Sequence, residues 1–119
     1  MASNTYHEPL ELLSGDTLDM HRAIVSLMEE MEAIDWYQQR ADACTDPALK
    51  AVLMHNKNEE IEHAAMVMEW IRRHNLHFND MMRKYLFTEL PIAGVEAAAK
   101  LESSEGTAAK TLGIGSLKG

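Results

Sequence analysis

Between Thr17 and Ala43 the chain carries no Gly or Pro, and Ala23, Leu27, Glu30, Ile34, Tyr37 and Ala41 recur at three- and four-residue steps. That spacing is one face of a helix, so it predicts a first long helix. An earlier start near Glu8 and Pro9 stays open, because an acidic residue and a proline suit a first turn whereas Gly15 weighs against unbroken continuity. At Thr45-Asp46-Pro47, Asp46 can accept hydrogen bonds from free N–H groups and Pro47 fits the first helical position, where no donor is needed. A second helix starts here. Its inner stripe reads Leu49, Val52, Leu53, Asn56, Glu60, His63, Val67, Trp70 and Ile71. It ends near Arg72-Arg73-His74-Asn75, where positive charge complements the C-terminal dipole. So short a connection makes the pair an antiparallel hairpin.

Asn79 suggests the cap of a brief third helix, Asp80 to Phe87, whose Met81, Met82, Tyr85 and Leu86 offer apolar surface for a neighbouring chain before Pro91 stops it. From Ala93 onward small and charged residues dominate and the apolar period fades, as in a flexible linker. The last residues place Leu112, Ile114 and Leu117 between small residues, the pattern of a docking peptide. The expected organisation is a helical domain over 1–91, a linker over 92–110 and a terminal peptide over 111–119. The fold class is all-α.

Composition narrows the function. At 119 residues the chain is one domain's worth of protein. Its formal net charge of -8 disfavours nucleic acid and anionic membranes and suits the attraction of cations. No run of about 18 apolar residues and no basic-then-apolar start is present, so neither a membrane span nor a secretory signal is read, and a cytosolic protein is expected. The one cysteine, Cys44, has no intrachain partner and no activating base beside it, and is read as structurally incidental.

The chemistry sits on the two long helices. Glu60 and His63 are three positions apart, adjacent on one helical face and able to chelate one cation. Both fall within the apolar stripe, where an ionised carboxylate without a partner would cost several kcal/mol. Glu30, between Leu27 and Ile34, sits on the matching stripe of the first helix. Carboxylates with one imidazole suit iron, since the oxygens favour the ferric state and can bridge two metals, whereas structural zinc would more often recruit cysteines. A four-helix di-iron site takes one Glu from each of two helices and a Glu-x-x-His from each of the other two. This chain holds half of each, so the expectation is a two-fold dimer in which Glu30, Glu60 and His63 of both protomers surround two irons. The bland alternative is a surface Glu-x-x-His pair turned inward by a wrong register.

Glu29 and Glu32 with Trp36 on the first helix, and His55, Glu59 and Glu62 on the second, flank this set. They are read either as weaker cation sites that draw iron inward or as a solvated acidic face. Tyr37 can hydrogen-bond a ligand carboxylate from outside the metal's own shell or simply pack in the core, and Met28, Met31, Met54, Met66 and Met68 read as core or interface filler.

Several segments together resemble the encapsulated ferritin family: His21 to Ser26, Met28 to Tyr37, Thr45-Asp46-Pro47, Glu59 to Met66 and Tyr85 to Glu89. The resemblance spans nearly the whole chain. It implies a two-helix protein that dimerises through metal into a ferritin-like four-helix bundle, five dimers closing into a ring-shaped decamer. It implies oxidation of Fe(II) to Fe(III) by oxygen at Glu30, Glu60 and His63. Secondary metal sites, with calcium or zinc as further occupants, would fall on Glu29, Glu32, His55, Glu59 and Glu62, and Trp36 and Tyr37 would lie near the iron. The resemblance further implies that Leu112, Ile114 and Leu117 belong to a peptide addressing the protein to the inside of an encapsulin shell, which stores the mineral. The expected function is thus a ferroxidase for iron storage in an encapsulin nanocompartment. The rival is a non-catalytic metal-bridged helical scaffold or cargo protein, and a di-iron oxygenase is disfavoured because so small a chain leaves little material for an organic substrate's pocket.

Overall fold

The structure, a computed structural model, describes residues 5–98. It is all-α, with no strand among the described residues. A 3-10 turn at Leu10–Leu12 precedes α1 (Gly15–Ala43), α2 (Pro47–His74) and α3 (Leu76–Tyr85), and a second 3-10 turn lies at Ile92–Gly94. The chain divides into two units, Met1–Leu76, which holds the α1–α2 hairpin, and His77–Gly119. The expected terminal peptide, with Leu112, Ile114 and Leu117, and most of the expected linker lie outside the described residues.

Local hydrogen bonding explains the helix boundaries. The Ser14 hydroxyl accepts from the Thr17 amide at 3.1 Å and caps α1. Gly15 is therefore the first helical residue, and the proline at position 9 introduces the separate 3-10 turn. At the start of α2 the Asp46 carboxylate accepts from the Leu49 amide at 2.8 Å, with Pro47 in the first position. Its last turn carries Arg72, Arg73 and His74 against the helix dipole. The Glu69 carboxylate accepts from Arg72 at 2.7 Å and from Arg73 at 2.6 Å. Those hydrogen bonds hold its carboxyl down at about 2.

The third helix differs from the expected Asp80 to Phe87. One extended residue, Asn75 at φ -143 and ψ 113, separates it from α2, and helix resumes at once at Leu76. Asn79 is thus inside α3, where its side-chain oxygen accepts from Arg83 at 3.1 Å. Tyr85 is the last helical residue, the Leu86 amide closing the final turn on Met82. Phe87 has left-handed backbone, φ 60, which no helix can continue through.

The two long helices run antiparallel. Going back along α1 from Gln38 to Glu30 to Ala23, the facing residues advance along α2 from Lys57 to His63 to Trp70. Of the hairpin's residues only Ala41, Ala64 and Ile71 are buried, and no large side chain is fully buried among the described residues. Leu49 and Val52, expected on the inner stripe, are 51% and 54% exposed. Leu49 is in the first turn of α2, beyond the reach of α1, and the stripe holding Val52 is wider than one facing helix can cover. Met66 is 64% exposed and Met31 and Trp36 are also exposed, so the hairpin carries apolar surface that it does not cover itself.

Replacing Asp46 by Ala removes the cap of α2 and should lower stability by about 1 kcal/mol. Urea unfolding at fixed subunit concentration reads this as a lower midpoint, with Asp46→Asn close to wild type. An Ala variant with an unmoved midpoint would show that the cap contributes nothing.

Candidate metal centre

Glu30 projects from the inner face of α1, and Glu60 and His63 from adjacent turns of α2. The antiparallel register brings all three to one level of the seam. His63 Nδ1 lies 3.7 Å from Glu30 Oε2 and 3.8 Å from Glu60 Oε1. One ligand atom from each residue lies within 4.8 Å of the others, and this is the one such group of His, Cys, Asp and Glu found among the described residues. Three ligands around one cation with bonds of about 2.1 Å lie about 3.0–3.6 Å from one another. The group therefore needs only a small closure to hold one ion. Its donors, two carboxylates and an imidazole, suit a hard or borderline divalent metal such as ferrous iron.

Exposure grades across the group. The Glu30 side chain is 19% exposed, Glu60 27% and His63 49%, so the set opens toward the surface on the His63 side. Electrostatics follow from this placement. The Glu30 carboxyl is raised above the ordinary carboxylate range, first by a hydrogen bond shared with Glu60, then by burial and by Coulomb repulsion from Glu60, with Glu29 adding to it and His63 opposing. Two facing carboxylates disfavour each other's charge, which a cation between them would relieve.

The flanking residues do not join this group in the structure. Glu29 is exposed and Glu32 half-buried on α1, while His55, Glu59 and Glu62 are exposed on α2. His55 Nε2 approaches Glu59 Oε1 at 3.6 Å, and Glu62 borders a shallow surface groove with Glu69, Trp70 and Arg73. Trp36 and Tyr37 lie beside Arg40, whose guanidinium is 6.0 Å and 5.4 Å from their ring centres. Among the described residues Tyr37 makes no hydrogen bond to Glu30. Cys44 is a free thiol, donating to the Asp46 carbonyl at 3.6 Å. Sequence reasoning missed one polar feature near the site, Lys57 and Gln38, which meet across the seam at 2.7 Å. Its only local sign is a lysine directly after Asn56 on the inner stripe.

An all-helical hairpin with one Glu on the first helix and Glu-x-x-His on the second has the plan of a ferritin-like protein. The profile of the EncFtn-like family matches residues 5–89, and the chain belongs to that family. It is 56% identical to the "Encapsulated ferritin-like protein" of Rhodospirillum rubrum, over 99% of this chain and 91% of that one. It is 31% identical to the "Encapsulin nanocompartment cargo protein EncC" of Myxococcus xanthus, over 98% and 97%. A crystal structure of a Nitrosomonas europaea protein superposes with a TM-score of 0.72 at 58% identity, covering 74% of this chain and 97% of that one.

The raised Glu30 carboxyl sets a pH dependence. Above the ordinary carboxylate range the folded chain keeps a proton that the unfolded chain has lost, so stability falls as pH rises through that window. Without metal, the urea midpoint should decline across it, and Glu30→Gln should flatten the decline. A Glu30→Gln profile parallel to wild type would contradict the assignment.

Proposed function

We propose that the chain is a ferroxidase working at a di-iron site completed by a second copy of itself. The observation that carries this reading is the convergence of Glu30, Glu60 and His63 on one seam, in a member of the EncFtn-like family. One hairpin contributes one Glu and one Glu-x-x-His, half of what a four-helix di-iron site requires. The uncovered apolar surface around Val52 and Met66 supports a partner hairpin, since the two helices alone bury only Ala41, Ala64 and Ile71.

Iron is the substrate. Fe(II) approaches an acidic surface, where Glu29, Glu32, Glu59 and Glu62 raise its local concentration, and binds between the carboxylates in competition with protonation, which the raised Glu30 carboxyl favours. His63 binds as neutral imidazole and favours the ferrous ion, while the carboxylate oxygens of Glu30 and Glu60 stabilise the ferric product. Each iron gives one electron and dioxygen receives them. Trp36 and Tyr37 flank this centre. By analogy with the relatives' printed names, the chain works inside an encapsulin shell. The family resemblance of the sequence extends this proposal to a ring-shaped decamer and to the segment bearing Leu112, Ile114 and Leu117 as its address.

Aerobic Fe(II) oxidation, followed by ferric absorbance with buffer oxidation subtracted, tests the reaction. Glu30→Ala, Glu60→Ala and His63→Ala should each drop the rate toward buffer. A wild-type chain no faster than buffer would leave a metal-bridged scaffold instead.

Assembly is linked to the same site. Size-exclusion profiles should shift from smaller species with chelator to larger ones with Fe(II), because a cation binds only the completed site tightly. Identical profiles under both conditions would break the link between metal and dimer.

A further inference from the structure

The three ligand residues come from two helices, so their convergence depends on how α2 is set against α1. A slip of one residue moves a helix about 1.5 Å along its axis and turns its side chains by about 100°. Either movement separates Glu60 and His63 from Glu30. The seam offers few buried contacts to resist it, since only Ala41, Ala64 and Ile71 of the hairpin are buried.

A polar relay crosses this seam. Lys57 Nζ donates to Gln38 Oε1 at 2.7 Å in a part-buried contact. Gln38 Nε2 donates in turn to Asp42 Oδ1 at 2.9 Å. The amide has one orientation that satisfies both neighbours, so cation, amide dipole and carboxylate align head to tail. An ammonium donor makes the crossing bond about twice as strong as a neutral one.

The relay's position gives it leverage. Lys57 lies three residues before Glu60 and His63 three residues after it, about 60° to either side of Glu60 on the helix. Rotating α2 so that His63 swings away from Glu30 therefore carries Lys57 by the same angle across the face of α1, out of its present alignment with Gln38. Lys57 and Gln38 also sit between the metal centre and the connection at Cys44–Thr45–Asp46, where they resist sliding of one helix along the other.

We propose that Lys57 and Gln38 are positioning residues that fix the slide and rotation of α2 on α1, and so keep Glu60 and His63 aimed at Glu30. The proposal rests on the metal-site reading above, and its test separates the two. Co(II) is titrated into the full chain and followed by its visible absorption, comparing wild type with Lys57→Met, Lys57→Arg, Gln38→Met and the Lys57→Met/Gln38→Met double variant. Met keeps the length and packing of both side chains and removes only their polar ends. Each Met variant should bind Co(II) about tenfold more weakly, as when a group outside the ligand set that orients the ligands is lost. The Co(II) bands should change in intensity while far-UV dichroism is unchanged. The double variant should be no worse than either single one, because both remove the same bond. Lys57→Arg should recover most of the affinity. With Fe(II), KM should rise more than kcat falls.

Lys57→Met and Gln38→Met variants that bind Co(II) with wild-type affinity and spectrum overturn the proposal. If Lys57→Met loses helix content, Gln38→Met decides the matter from the other helix. A wild-type chain that binds Co(II) and depends on Lys57 for it, but oxidises no Fe(II), refutes the ferroxidase and keeps the positioning role. Rapid oxidation with unaffected Met variants does the reverse, and a wild-type chain that binds no Co(II) overturns both.

Discussion

The Glu30 and Glu60 carboxylates face each other in the seam between two helices, in a chain with 19 acidic and 11 basic side chains. Their repulsion is local and cannot be screened away as it could between exposed groups, because Glu30 is largely covered. Something positive has to lie between them. His63 Nδ1 stands 3.7 Å and 3.8 Å from them, and their shared hydrogen bond, burial and mutual repulsion raise the Glu30 carboxyl, which favours a proton there. A divalent cation meets that need more fully than either, provided the helices hold their register.

Register is the weak link in so small a structure. The cap at Asp46 sets where α2 begins, and the connection before it is short, but with only Ala41, Ala64 and Ile71 buried the two helices have few ridges to interlock. The constraint must come from directional bonds. The Lys57 ammonium reaching Gln38 is such a bond, and it stands on the flank of Glu60 opposite His63. Packing and site are then parts of one arrangement, since a seam loose enough to repack freely could not present two carboxylates and an imidazole to one ion.

These features were unequally legible in the sequence. The hairpin and the bounds of α2 could be read because their causes are local: Asp46 and Pro47 act within one turn, and so does the basic end at Arg72-Arg73-His74. Glu30, Glu60 and His63 stood out as polar residues inside apolar stripes, which is a periodic signal. The third helix was misplaced because Asn79 looks like a cap in isolation, whereas the backbone needed only Asn75 to leave one helix and enter the next. The exposure of Val52 was hidden for a different reason, since periodicity gives the direction of a stripe and not the width that one neighbour covers. The Lys57–Gln38 bond left only the faint sign of a lysine directly after Asn56, because 19 residues separate its ends and only the folded register brings them together.

The missing core and the half-occupied ligand set follow from one geometry. A hairpin with Met66 and Val52 in solvent is short of apolar cover, and the same hairpin is short of a second Glu and Glu-x-x-His. In the proposed dimer a single contact provides both, so apolar burial and cation binding draw on one association equilibrium. Coupling of this kind is reciprocal: whatever favours the paired hairpins favours the ion, and the ion favours the pair by the same factor. In that proposal the monomer's half-set of ligands binds a cation less tightly than the completed site. Graded exposure from Glu30 to His63 leaves the deeper carboxylate ordered by its own chain and the imidazole open to whatever docks beside it. In the proposed dimer the ligand set stays incomplete on isolated chains and is completed only where subunits and metal are present together.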